Sequence, residues 1–176
     1  MRLAYADPPY IGQAKRHYGG VEVDHYELVR QLSEYDGWAL SLGSTTLEEV
    51  LLICREVLGP NQVRIAAWVK PFHVYKKGVR PAYAWEPVIF RGGHNPPAYP
   101  HPPPPKKGMQ NTPKDFIAEN ITLRKGLVGA KPPRFCWWLF DLLGAKVDDT
   151  LDDLFPGTGI VTRCWEQFVK EHRRAT

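Results

Sequence analysis

The sequence predicts an α/β fold organised around a largely parallel sheet, and three observations carry that reading. Short segments rich in strand formers alternate with stretches of helical periodicity from the first residues onward. Eight of the 17 prolines crowd one stretch and the other nine are scattered, so the excess marks one segment and does not make the whole chain disordered. The 176 residues, 43% of them hydrophobic, can bury a core without help from disulfides or a metal.

Each element has its own warrant. Arg2-Leu3-Ala4-Tyr5-Ala6 stops at Asp7-Pro8-Pro9. Two successive prolines cannot continue a central ladder, so this is a buried strand ending in a rigid loop. Asp24 N-caps a helix that places Tyr26, Val29, Leu32 and Ser33 on one face. Residues 38–42 form the second strand. Thr45 or Thr46 caps a helix through Leu47, Val50, Leu51, Cys54 and Val57, which Gly59-Pro60 ends. Residues 63–69 are a third strand and 87–90 lead a fourth.

The next segment breaks the rhythm. Eight of the chain's 17 prolines fall between Pro96 and Pro113, and a loop over about 92–114 is expected, in part polyproline-like. Order then returns. Pro132-Pro133 opens an apolar helix over 135–143, stopped by Gly144. Residues 150–155 are strand-like and run into Pro156-Gly157-Thr158-Gly159, and a last amphipathic helix runs from Ile160 towards Glu171. The expectation is one domain over 1–176, without internal repeats, holding about five strands.

Composition narrows the function. Cys54, Cys136 and Cys164 are far apart with no CxxC, a poor disulfide framework and a poor zinc site. The two loop histidines, His94 and His101, lack metal-ligand spacing, so no metal is expected. No apolar run reaches the roughly 18 residues of a membrane span. The early Asp7-Pro8-Pro9 stands where a signal peptide would have its apolar core, so a cytoplasmic location is expected. From Lys70 to Lys131 there are 11 Lys/Arg against three acids, a net of +8 in a chain of net +4. A basic middle between acidic ends suggests a surface that faces a polyanion. Lys76, Lys77, Arg80 and Arg91 are the candidate phosphate contacts; Lys106-Lys107 either reach the backbone too or keep the loop soluble.

Two segments carry the chemistry: Asp7-Pro8-Pro9-Tyr10 after the first strand, and Asp153-Leu154-Phe155-Pro156-Gly157-Thr158-Gly159 between a strand and a helix. The glycine pair permits a tight turn and brings backbone N–H groups and a helix N-terminus near a ligand. Alone it reads equally well as a structural turn. No G-K-[ST] follows, so it is not a Walker A site.

Taken together, the two segments resemble those of the amino-group DNA methyltransferases, which methylate N6 of adenine or N4 of cytosine. Asp7-Pro8-Pro9-Tyr10 resembles the DPPY catalytic box. Asp153 to Gly159 resembles the D-P-F-x-G-[ST]-G cofactor box, with Leu154 in place of the usual proline. Gly129-Ala130-Lys131-Pro132 resembles the K-P element that precedes that box in permuted members, and Tyr83 to Ile89 resembles a W-E-x-[IV] strand of related enzymes. The catalytic box preceding the cofactor box is also the permuted order.

This resemblance implies a Rossmann-like, circularly permuted and minimal methyltransferase fold with S-adenosylmethionine as cofactor. It assigns catalysis to Asp7, Pro8, Pro9 and Tyr10, and cofactor binding to Asp153, Phe155, Pro156, Gly157, Thr158, Gly159, Lys131 and Pro132.

The chemistry explains the residue types. An exocyclic amine conjugated to a ring is a poor nucleophile because its lone pair is delocalised. The Asp7 carboxylate and the Pro8 carbonyl each accept one N–H, which frees the lone pair for in-line attack on a methyl group. The Pro-Pro unit fixes the acceptors, and Tyr10 stacks on a base lifted from its helix. DPP at the box tilts the target to adenine, as the resemblance implies. A cytosine-C5 mechanism needs an activated cysteine, and none of the three lies in a Pro-Cys loop; Cys54 and Cys136 fall on helix faces and are read as core. Trp137-Trp138 is likewise read as core.

The family's fold continues past the cofactor box into strands that supply an acid for the cofactor ribose. Here one helix remains after Gly159 and that acid cannot be placed. The readings kept open are a shallower site, a homodimer or second chain that completes it, or a non-catalytic nucleic-acid-binding protein. An RNA N6-adenosine methyltransferase shares the DPP chemistry and is a further alternative to DNA.

Overall fold

The computed structural model describes residues 1–12, 20, 22–72, 77–94, 113–121 and 130–173. Its strands are β1 (Arg2–Ala6), β2 (Gly37–Ser41), β3 (Arg64–Val69), β4 (Trp85–Gly92), β5 (Phe116–Ala118) and β6 (Thr150–Asp153). The helices are α1 (His25–Leu32), α2 (Leu47–Leu58), α3 (Pro133–Leu142) and α4 (Ile160–Arg173), with a 3-10 turn at Ser44–Thr46 before α2.

The six strands form one sheet in the order β5-β3-β4-β2-β1-β6. β1 is parallel to both β2 and β6, and β3 is parallel to β5. β4 runs antiparallel to both of its neighbours, β2 and β3. Five strands therefore point one way and β4 alone points the other. The sixth strand corrects the expected five: β5 is only three residues long, too short for a periodicity signal, and is held at the edge by pairing with β3. β6 is the opposite edge, and among the described residues no strand lies beyond it.

Alternation along the strands splits the core in two. Leu3, Tyr5, Trp68, Val88 and Phe90 face α3 and α4, where Phe135, Leu139, Phe140, Val161, Cys164 and Phe168 meet them. Ala4, Ala6, Trp38, Leu40 and Ile89 face α1 and α2, meeting Leu28, Val29, Leu32, Val50 and Cys54. Each fully buried Leu or Phe contributes about 1.5–3 kcal/mol by leaving water. All three cysteines are buried and unpaired by disulfide. Trp138 is buried and its indole N–H donates to the Lys114 carbonyl at 2.8 Å, while Trp137 packs on Phe168 with ring centroids 5.7 Å apart. The core reading of both tryptophans holds.

Two local expectations need correction. The buried face of α1 is His25, Leu28, Val29 and Leu32, leaving Tyr26 41% exposed. Tyr26 sits one residue, and so about 100° of helix, from the inward stripe. At α2, Thr46 is the N-cap residue by position only: its hydroxyl donates to the Gly43 carbonyl at 3.2 Å and makes no bond to the helix amides. Most of the expected proline-rich loop, with His101, Lys106 and Lys107, lies outside the described residues.

Candidate active site

Parallel pairing of β1 with β6 brings the two chemical segments together. Tyr5 and Asp153 are register partners, and the Leu154 N–H donates to the Tyr5 carbonyl at 2.9 Å, extending the ladder one residue past β6. Both chains then leave the sheet at the same end. Asp7-Pro8-Pro9-Tyr10 follows β1 there, and Phe155 to Gly159 follows β6 beside it. This is the carboxyl end of the parallel strands, where open α/β sheets bind ligands.

Asp7 does not stand alone. Lys131, immediately before α3, places its Nζ 3.0 Å from Asp7 Oδ1 and 3.3 Å from Glu86 Oε2. The Lys131 side chain is only 4% exposed and its ammonium lies 5.0 Å from the Trp68 ring centroid and 5.6 Å from that of Phe135. Glu86, on β4, is also bonded by Lys70 at the end of β3. Two carboxylates and two ammoniums form a buried or half-buried quartet of zero net charge. Asp7 Oδ2 has no protein partner among the described residues.

Burial raises the Asp7 carboxyl above its ordinary range, with the Lys131 ammonium opposing it. For Glu86 the balance tips the other way: burial would raise it, but Lys131 and Lys70 outweigh burial and hold it low. Burial disfavours the Lys131 charge, yet Asp7 and its other anionic neighbours carry it well above the ordinary lysine value. The ammonium is thus present throughout the usable pH range.

Pro8 is buried and Pro9 and Tyr10 are half-buried. The Tyr10 ring packs over Gly43, where a Cβ would lie 3.3 Å from Tyr10 Cδ2. Burial, aided by Glu86 and Asp7, pushes the Tyr10 phenol well up, so it stays neutral.

On the β6 side, Gly157 and Gly159 both have left-handed backbones, with φ of +46° and +68°. They turn the chain straight into α4, and the Gly159 N–H closes the turn on the Pro156 carbonyl. Asp153 sits at the base of the turn. Its Oδ2 accepts from the Thr162 hydroxyl at 3.5 Å, while its Oδ1 is buried without a hydrogen-bond partner. An orphaned buried carboxylate oxygen fits a cationic or N–H-bearing ligand. Burial raises the Asp153 carboxyl against the opposing Phe155 amide, and the nearby Asp7 charge raises it further. Phe155 and Thr158 are half-buried and Pro156 is exposed.

The remaining candidates fall elsewhere. Lys131 reaches Asp7 and Glu86 rather than the glycine turn. Pro132 is the N-cap residue of α3, and its carbonyl accepts from the Phe135 N–H at 3.0 Å. Lys77 and Arg80 are exposed on the β3–β4 connection, which leaves from the same sheet end as Asp7. Arg91 is not brought there. β4 runs antiparallel, so five residues of strand, about 17 Å, separate it from Glu86, and it pairs with Trp38 at the far end. Lys76 lies outside the described residues. His94 places Nε2 3.0 Å from Asp149 Oδ1, and no metal-ligating cluster exists among the described residues. Nor is any described helix long and apolar enough to cross a membrane.

Sequence reasoning assigned no role to Glu86 or Lys70. The signal was present: a lone acid inside an apolar strand must find a cation if it is to be buried.

No protein-family model matches the chain, and no curated protein matches it. Solved structures do. The PvuII DNA methyltransferase (cytosine-N4-specific) superposes with a TM-score of 0.62 at 16% identity, covering 95% of this chain and 71% of that one. M1.HpyAVI in its SAM complex gives a TM-score of 0.61 at 12% identity, covering 96% and 78%. M1.HpyAVI alone gives 0.57 at 11% identity. The fold is therefore that of DNA methyltransferases.

Proposed function

We propose that this chain is a DNA adenine-N6 methyltransferase that takes its methyl group from S-adenosylmethionine. One observation carries the reading. Adjacent parallel strands deliver Asp7-Pro8-Pro9-Tyr10 and the Asp153–Gly159 turn to the same end of a methyltransferase-type sheet. In chain order the acceptor segment comes first, which fits the permuted arrangement.

The residues divide the work. Asp7 Oδ2 and the Pro8 carbonyl accept the two N–H bonds of a target amine, and the rigid Pro8-Pro9 unit holds those acceptors still. Tyr10, neutral and braced by Gly43, offers its ring to a base taken out of the stack. S-adenosylmethionine supplies an electrophilic methyl on sulfur. Asp153 Oδ1 is the acceptor suited to its ammonium, and the Gly157 and Thr158 amides of the turn before α4 suit its carboxylate. Lys77 and Arg80, exposed on the β3–β4 connection, are assigned to the backbone phosphates.

A second reading, transfer to cytosine N4, is favoured by the likeness to the cytosine-N4-specific PvuII enzyme. It uses the same acceptors on a smaller ring. Calorimetry with S-adenosylmethionine and S-adenosylhomocysteine tests the cofactor. Nucleoside analysis of treated DNA then separates N6-methyladenine from N4-methylcytosine. Cofactor binding with N6-methyladenine is the expected result. No cofactor binding would leave a nucleic-acid-binding protein that has the fold without the reaction.

A further inference from the structure

We propose that Lys131 is a positioning residue for the transfer: it occupies Asp7 Oδ1, keeps the carboxylate ionised, and leaves Oδ2 as the single acceptor turned to the amine. Glu86 and Lys70 fix that ammonium from the other side. The inference rests on the methyl-transfer reading for its purpose, and on the geometry of the quartet for its content.

A carboxylate that accepts an amine N–H must be charged and must present one oxygen in a fixed direction. Burial beside β1 works against the charge. Lys131 opposes that cost at 3.0 Å and removes the rotational freedom of the carboxylate by binding one oxygen. The lysine is itself held: Glu86 Oε2 at 3.3 Å on one side, the Trp68 and Phe135 rings beneath. Lys70 balances Glu86, so Glu86 does not draw the ammonium from Asp7 without compensation.

Among the described residues, each titratable group that acts on Asp7 enters the balance. Lys131 precedes α3, Glu86 is on β4, Lys70 follows β3, Tyr10 is in the same loop, Tyr5 is on β1, and Asp153 ends β6. Tyr5 and Tyr10 are held neutral by burial. The charges that matter are therefore two cations and two anions around Asp7. Removing Lys131 leaves an excess of negative charge beside it. Removing the Glu86 charge leaves an excess of positive charge. The two changes must move the Asp7 titration in opposite directions, which a mere loss of packing would not do.

The test uses the whole chain and carbon-13 NMR of the side-chain carboxyls, with the Asp7 signal identified by its disappearance in Asp7→Asn. No cofactor or nucleic acid is needed, so the outcome is independent of whether the chain methylates DNA. The Asp7 midpoint is expected to rise by about one pH unit or more in Lys131→Gln and to fall in Glu86→Gln. The acid limb of methyl transfer should move with it in each variant. A midpoint that stays put in both, or moves the same way in both, overturns the proposal. Should Lys131→Gln fail to fold, Glu86→Gln decides alone: an unchanged or raised midpoint overturns it. If the midpoints shift as expected but the parent chain transfers no methyl group, the charge balance stands and the methyltransferase reading fails.

Discussion

At Asp7 one carboxylate serves two partners, and substitutions there separate them. Read from the sequence, a residue at a strand end that accepts only from substrate should be removable at little cost to folding. The ion pair with buried Lys131 changes that expectation. Asp7→Ala should abolish transfer and also cost about 1–3 kcal/mol, because the ammonium loses one of two charged partners. Asp7→Asn retains an oxygen for Lys131 and should abolish transfer at a smaller cost. Urea unfolding of both variants beside a methyl-transfer assay checks this, and equal stability of Asp7→Ala and the parent would remove Lys131 from the account. The pH dependence follows from the same carboxyl. Because burial holds its titration above the ordinary carboxylate range, the ionised acceptor is lost as pH falls through that raised value. The acid limb of activity should accordingly lie higher than an exposed aspartate would give. Gly157 poses a different question, since a Cβ there would meet only the Phe155 carbonyl at 3.8 Å. Its constraint is the left-handed backbone at φ +46° rather than space within the chain. Gly157→Val would pay about 1–2 kcal/mol of that strain or flatten the turn. Roughly tenfold weaker binding of S-adenosylmethionine is expected by calorimetry. Unchanged affinity would mean that the turn is structural only.

At the scale of elements, what was legible depended on whether the signal was local. The cap of α1 could be read directly, because Asp24 precedes an amphipathic run and its Oδ1 accepts from the Tyr26 and Glu27 amides at 2.9 and 3.1 Å. Asp24→Ala should lower stability by about 1 kcal/mol, measured by urea unfolding, because the Tyr26 and Glu27 amides lose their acceptor. Strands β1, β2 and β3 were legible for the same reason, as apolar runs closed by proline, glycine or polar residues, and β6 as a strand-like segment running into Pro156-Gly157. Direction was not. Nothing in Glu86-Pro87-Val88-Ile89-Phe90-Arg91 says that β4 runs against its neighbours, yet that reversal brings Glu86 to the cleft and carries Arg91 to the opposite end. Strand direction is decided by long-range pairing, so two residues five apart in sequence acquired unrelated surroundings. β5 escaped notice because three residues carry no period, and its existence depends on β3 being beside it. The site divides likewise. Asp7, Tyr10 and the glycine turn were readable as segments, whereas the Lys70–Glu86–Lys131 arrangement joins three elements and has no local spacing to betray it.

Across the whole molecule, the basic excess of the middle segment has to be divided before it can be assigned to a polyanion. Lys131 and Lys70 are spent within the buried quartet, and Arg91 lies at the wrong end of β4. Lys114 caps the Phe116 ring at 5.5 Å beside the β5 edge. Lys77 and Arg80 are different: both are exposed, and both lie on a connection that leaves the sheet at the end where Asp7 and the glycine turn open. Cations so placed can meet phosphates on either side of a base that has been drawn towards Tyr10. Counterion release gives each such contact a signature, about −0.9 in the slope of log affinity against log salt for duplex DNA. Charge reversal of Lys77 and Arg80 together should therefore weaken DNA binding and flatten the slope by about 1.8, twice the single-contact value. Arg91→Glu, equal in the sign of its charge change but at the far end of the sheet, should leave the slope where it was. Affinity for S-adenosylmethionine should be unaltered in both, because none of the three residues borders Asp153 or the turn into α4. Fluorescence anisotropy across a salt series measures the slopes. An unchanged slope in the double variant would make Lys77 and Arg80 a solvated surface, and a flattened slope in Arg91→Glu would move the nucleic acid to the opposite end of the sheet, away from the residues proposed to act on it.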